Sequence, residues 1–221
     1  MSAGEELAYS VDGDARKSGK EPVVINPDAA AITRGLRLKN DGQRPLWMQV
    51  TARGVPLDPQ PAATQGLSVD RRYYTLGGQA AKLDTVRQND RLIVSISGRN
   101  LEGGYHEVAL LDLLPAGFEI ESVVNEEMAK SFPFLSEISE TRIAEARDDR
   151  FFAAISLGTR PYRSWWDNPP KHGNSYHVAY IVRAVTPGTF ALPATNVSDM
   201  YAPRVFGRTA MGRVVIAPAA R

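Results

Sequence analysis

The chain has no cysteine. This excludes thiol nucleophiles, disulfide frameworks and thiolate metal sites. It also lacks any apolar run close to the roughly 18–20 residues that span a bilayer, so direct membrane insertion by this chain is not expected. Met1–Glu6 has neither the basic cluster nor the apolar run of a secretory leader, and no export signal is expected in this chain. Charge of one sign is scarce: 26 basic and 25 acidic side chains leave a net +1. Without a basic field, a nucleic-acid partner is not expected. The three histidines, His106, His172 and His177, include no pair three or four residues apart, so neither a metal site nor a cofactor is expected. They read as surface or cross-strand histidines.

Catalytic signatures are missing too. There is no Gly-x-Ser-x-Gly elbow, phosphate loop or dinucleotide fingerprint, so no enzyme and no catalytic residue is expected. The adjacent acids Asp148 and Asp149 point to opposite faces if they lie on a strand, so they do not converge on a substrate. Their neighbours Arg147 and Arg150 supply ion pairs instead.

What is present is a globular composition, 43% apolar over 221 residues. A chain of that length buries roughly 70% of its unfolded surface without a metal or disulfide. The 15 prolines and 18 glycines are scattered, and short apolar or alternating runs lie between them. Val94–Ser97 alternates, as does Tyr176–Val182, which places Val178, Tyr180 and Val182 on one face. Glu107–Leu114 is nearly all apolar and reads as a strand buried on both faces. Arg213–Ile216 closes the series. Such runs between turn residues predict an all-β fold, an antiparallel β-sandwich. Helical signals are thin: Asn125–Met128 and Leu135–Arg147 read as short helices or turns on loops.

The proline-rich stretch Gly54–Pro61 cannot pair as a central strand, so it marks a boundary. The chain divides into a partial β segment (1–57), a linker (58–64) and a complete sandwich (65–221). The first segment has about three strands, Glu6–Val11, Gly35–Lys39 and Leu46–Ala52, too few to stand alone. The last accommodates about seven or eight. Turns are predicted at Pro115-Ala116-Gly117 and Pro187-Gly188, and Asn40-Asp41-Gly42 reads as a hairpin.

Two features exceed ordinary packing. Residues 158–175 form a proline-rich loop with Tyr162, Trp165 and Trp166. Adjacent tryptophans do not both turn inward easily, and exposed aromatics are binding hot-spot material. Either they contact a partner or the loop folds back over its own sandwich edge. Met200 and Tyr201, in Ser198–Pro203, either cap an apolar pocket on a neighbour or pack into the chain's own core edge.

Several segments, in order, resemble the bacterial α2-macroglobulins: Asn40–Trp47, Gly66–Tyr73, Leu111–Ile120, Arg147–Phe151, Tyr180–Phe190 and Asp199–Pro203. The resemblance covers about residues 30–217. It implies that residues 1–57 are the second half of a CUB domain and that 65–221 is the last macroglobulin-like, fibronectin-like domain of a protease inhibitor. That family traps proteases through a Cys–Gln thioester. With no cysteine here, the thioester would be supplied elsewhere. The resemblance further implies that Met200 and Tyr201 face the thioester domain and shield the bond from water. The implied partners are the thioester and other domains of the parent inhibitor and, indirectly, target proteases. The implied location is the periplasm. The 158–175 loop departs from the family's compact pattern, which keeps a second function in view: a free-standing protein- or glycan-binding module using Trp165 and Trp166.

Overall fold

The computed structural model describes residues 7–12, 17–19, 22–43, 45–51, 58–135, 137–159 and 173–219. The chain separates into two compact units, Met1–Val55 and Pro56–Arg221.

In the first unit, β1 (Leu7–Val11) lies between β2 (Lys17–Gly19) and β3 (Leu38–Asn40), both antiparallel to it. One helix, α1 (Ala29–Arg34), starts at Asp28, whose Oδ1 accepts the N–H of Ala31 at 2.7 Å. The expected hairpin at Asn40–Gly42 is corrected. Asn40 Oδ1 accepts the Gly42 N–H at 2.9 Å, and this side-chain turn leads out of β3, which pairs with β1 instead. Residues 46–51 form no strand. Only Ala8 and Ser10 are buried among this unit's described side chains. Val24, Trp47 and Val50 are 80, 95 and 76% exposed.

The second unit begins with β4 (Ala63–Gln65), so residues 63 and 64, expected in the linker, already belong to a sheet. There follow β5 (Leu67–Thr75), β6 (Val86–Arg87), β7 (Arg91–Asn100), β8 (His106–Leu113), β9 (Phe118–Val124), α2 (Glu126–Ala129), β10 (Ile143–Arg147) and β11 (Arg150–Leu157). The last five are β12 (Ser175–Ala184), β13 (Gly188–Leu192), β14 (Thr195–Asp199), β15 (Phe206–Arg208) and β16 (Gly212–Ala217). The described strands outnumber the seven or eight expected, in part because β6 and β15, of two and three residues, are too short to show a period.

A six-stranded sheet, β10-β11-β8-β14-β15-β4, and a four-stranded sheet, β5-β7-β12-β9, enclose the main core; β13-β16-β6 forms a third sheet. Leu67, Ile96, Val108, Leu110, Phe151 and Tyr180 are at most 1% exposed within that core. A second cluster covers the far face of the four-stranded sheet, where Ile93, Ala179 and Ile181 meet Ile138, Met128, Phe132 and Phe134.

That cover reverses two expectations. β12, read as alternating, is buried on both faces. β8, read as doubly buried, alternates instead: His106, Val108, Leu110 and Asp112 are buried, and Glu107, Ala109, Leu111 and Leu113 only partly. The second covering layer lies over β12, not over β8.

Residues 137–147 form no helix. Ile138, Ile143 and Ala146 make no helical stripe, so Ile143–Arg147 pairs with β11 and satisfies its backbone there. The short helix at Asn125 does form, with Asn125 Oδ1 accepting the Met128 N–H at 2.8 Å.

Candidate functional site

β14 ends at Asp199, which organises the loop after it. Its Oδ1 accepts the N–H groups of both Tyr201 and Ala202, each at 2.7 Å. Asparagine and aspartate favour such turns because the short side chain reaches the backbone two residues on. The Asp199 N–H donates to Val205 O at 2.9 Å, the Val205 N–H to Ala202 O at 2.8 Å, and the Met200 N–H to Glu107 O on β8 at 2.8 Å. Val205 is 1% exposed and Ala202 packs on the main core.

With those two side chains turned inward, Met200 and Tyr201 point out, 42 and 84% exposed. Packing into the chain's own core edge, one of the two readings of this pair, is therefore excluded. The pair is an apolar, aromatic tip on a backbone held by five hydrogen bonds.

Behind the tip, Asp199 Oδ2 lies 2.7 Å from His106 Nδ1. Burial works against the Asp199 charge, but the Tyr201 N–H, His106 and the Ala202 N–H outweigh it and hold the carboxyl below the usual carboxylate range. His106 Nε2 faces the carbonyl of Gly103 at 2.8 Å. Gly103 belongs to a turn capped by Asn100, whose Oδ1 accepts the N–H groups of Glu102 and Gly103, both at 3.1 Å.

The same end of the sandwich carries the ends of the 158–175 loop. Gly158 donates its N–H to Gly173 O at 3.1 Å. Its φ is +78°, and a Cβ there would strike the Gly104 carbonyl, so glycine is required on both counts. Tyr162, Trp165, Trp166 and His172 lie outside the described residues.

Both described histidines are buried at 9 and 7% exposure, so of the surface and cross-strand readings the cross-strand one holds: His106 on β8 meets Asp199 on neighbouring β14, and His177 Nε2 on β12 lies 2.8 Å from Ser95 Oγ on neighbouring β7. No cluster of three or more metal-ligating side chains occurs among the described residues. Asp149 and Arg150 form an exposed ion pair at 2.6 Å at the entry of β11, the role expected of the flanking arginines, whereas Arg147 pairs with Glu145 of its own strand at 2.9 Å.

Sequence reasoning missed two arrangements. One is the His106–Asp199 contact, which spans 93 residues. An aspartate just before Met200-Tyr201 signals the turn, but nothing local signals the histidine. The other is a buried cluster on Asp112, which accepts from Arg71, Tyr180 and Thr195.

Residues 66–204 match the family described as Bacterial Alpha-2-macroglobulin MG10 domain. The chain belongs to this family. The matched stretch contains the Met200–Tyr201 tip and both strands that hold it. An alpha-2-macroglobulin of Xylella fastidiosa is 30% identical over 200 residues, 86% of this chain and 11% of that protein. One from Escherichia coli K12 is 28% identical over 182 residues, 76% of this chain and 10% of that protein. The MG10 chain thus spans about a tenth of the length of these relatives. Salmonella alpha-2-macroglobulin reacted with methylamine superposes with a TM-score of 0.72 at 26% identity, covering 98% of this chain and 13% of that one. The resemblance and the all-β, macroglobulin-like sandwich expected from the sequence are both borne out. No helix among the described residues is long and apolar enough to cross a membrane.

Proposed function

We propose that this MG10-containing chain is a non-catalytic part of a bacterial alpha-2-macroglobulin protease inhibitor, in which Met200 and Tyr201 cover a thioester carried by another domain. The observation that carries the reading is the tip itself, an 84% exposed tyrosine beside a half-exposed methionine on a backbone that cannot easily withdraw. Apolar side chains exposed next to one another, rather than singly, are the kind of surface that marks an interaction site. A reactive acyl bond survives in water only under an apolar, water-excluding cover. The absence of cysteine requires the thioester to come from elsewhere.

In this reading the first unit contributes part of a CUB-type domain. Its short sheet and its exposed Val24, Trp47 and Val50 are consistent with strands supplied by another part of the inhibitor. The inhibitor works in the periplasm, and target proteases meet this chain only through the whole assembly.

The test is Tyr201→Ala in an inhibitor that unites this segment with its thioester domain. Methylamine consumption of the thioester should accelerate strongly without loss of folding. An unchanged rate would remove the shielding role.

A further inference from the structure

The two ring nitrogens of His106 both face acceptors. Nδ1 meets the Asp199 carboxylate at 2.7 Å and Nε2 meets the Gly103 carbonyl at 2.8 Å. A carbonyl oxygen only accepts, so Nε2 must carry a proton to bond it. The Asp199 carboxylate likewise accepts, so Nδ1 must carry one too. A neutral imidazole has one N–H and leaves a lone pair against one of the two oxygens. The arrangement is complete only with the imidazolium. The ring is 9% exposed but Gly103 is exposed, so with a neutral ring the Gly103 carbonyl turns to water and no longer ties its turn to the ring.

We propose that His106 is a proton-dependent clamp that joins the Met200–Tyr201 tip to the 100–104 turn, and that losing its proton uncouples the two. This rests on the shielding reading for its consequence, because the clamp would position the tip over the thioester, but not for its existence. Asp199 holds the tip with one oxygen and the ring with the other. Gly103 holds the ring from a turn that Asn100 caps and that abuts Gly158 through Gly104. On deprotonation the remaining N–H stays with the charged partner, Asp199, because charge-assisted bonds are the stronger. The Gly103 carbonyl then faces a lone pair, and the turn comes free.

Among the described residues, the charged and titratable groups on the surrounding elements leave Asp199 as the dominant neighbour. Glu107, on the same strand, points to the opposite face and engages Ser156, Tyr105 and Arg142. On the turn, the Glu102 carboxyl lies over Gly66 beside Val205. The β11 residue in register with His106 is Leu157. The loop after β14 adds Tyr201, which is exposed, and Arg204, also exposed.

The test uses the 221-residue chain. NMR would follow the His106 ring nitrogens and the amide protection factors of Glu102, Gly103, Tyr201 and Ala202, corrected for intrinsic exchange, across the ring's titration. The ring should show two protonated nitrogens on the acid side. Protection at Glu102 and Gly103 should fall about tenfold as the second proton leaves, with a smaller loss at Tyr201 and Ala202.

Asp199→Asn supplies the control. Its amide oxygen still accepts from Tyr201 and Ala202, while its NH2 donates to Nδ1 and lets a neutral ring serve Gly103. Protection should then persist and lose its dependence on the ring's titration. Protection that ignores the titration in the parent chain, or a pH dependence that survives Asp199→Asn, would overturn the clamp. A methylamine rate unchanged by Tyr201→Ala, with this pH dependence intact, would overturn only the shielding role.

Discussion

Arg71 and Asp112 form a salt bridge of 2.5 Å across the sandwich, with side chains 4% and 0% exposed. Arg71 lies on β5 of the four-stranded sheet and Asp112 on β8 of the six-stranded one. Tyr180 donates to Asp112 Oδ2 at 2.6 Å and Thr195 to Oδ1 at 2.9 Å, while Arg71 also donates to Pro193 O at 2.7 Å. Burial works against the Arg71 charge, and the Asp112 carboxylate outweighs it and keeps the guanidinium more basic than usual. Both sheets are thus tied to one carboxylate.

Asp112→Ala leaves a buried guanidinium without its counter-charge, bonded only to the Pro193 carbonyl, and a buried phenol without its acceptor. The expected loss is about 3–5 kcal/mol of stability, read from urea denaturation of the 221-residue chain with an unchanged slope. Replacing Arg71 and Asp112 together by methionine and leucine should recover much of it, because a buried ion pair is often no better than apolar packing. A single-variant cost near that of a surface substitution would show that water reaches the cluster.

The tyrosines of this core make the fold sensitive to base. Burial, then the Asp112 charge, pushes the Tyr180 phenol well above its ordinary value, and burial raises Tyr73 and Tyr176. A group whose value is raised on folding contributes stability that is complete below its unfolded value and is lost as pH rises toward the folded one. Stability should therefore hold up to about pH 10, the ordinary phenol value, and fall above it. Denaturation midpoints against pH check this, and Tyr176→Phe should flatten the decline.

Asp199 gives the opposite slope in acid. Its folded value is depressed, so its contribution is complete above the ordinary carboxylate value near 4 and is lost as pH falls through the lower folded value. Acid titration of the parent chain and of Asp199→Asn should therefore diverge further below that point, beyond any difference the His106 proton sets at higher pH. Parallel acid curves would mean that Asp199 is no better bonded in the folded chain than in the unfolded one.

Tyr201→Gly separates function from folding. At 84% exposure the ring contributes little to this chain's own core, and the change should cost no more than about 1 kcal/mol, mostly from the glycine backbone. Thermal midpoints of the two chains should nearly coincide. A large drop would assign the ring a packing role within the domain.

The fold class was legible because alternation and turn residues report directly on strands. The exchange of roles between β8 and β12 was not, because it depends on Phe132, Phe134 and Ile138 covering the far face of the four-stranded sheet, a placement no local pattern encodes. The site was half legible. Met200 and Tyr201 stand out by residue type and by the resemblance, and Asp199 by its turn chemistry. His106 finds its partner only when a strand 93 residues on comes alongside, and Arg71 only when the facing sheet brings Asp112, 41 residues on, across the core.

Gly98 tests the packing beneath that end of the sandwich. A Cβ at this position would collide with the Ser68 carbonyl and with the hydroxyl of Tyr176, which itself donates to Ser68 O at 2.8 Å. Neither neighbour yields cheaply, because one is backbone in β5 and the other is a 2% exposed ring. Gly98→Ala should therefore cost about 1–3 kcal/mol, the range for forcing an extra carbon into a packed core. Tyr176→Phe in the same chain should recover part of that loss by removing the oxygen the new methyl meets. If the double variant is no more stable than Gly98→Ala, the Ser68 carbonyl and the ring carbon of residue 176 set the limit without the hydroxyl, and β5 or the ring must move away from β7 to admit a side chain there.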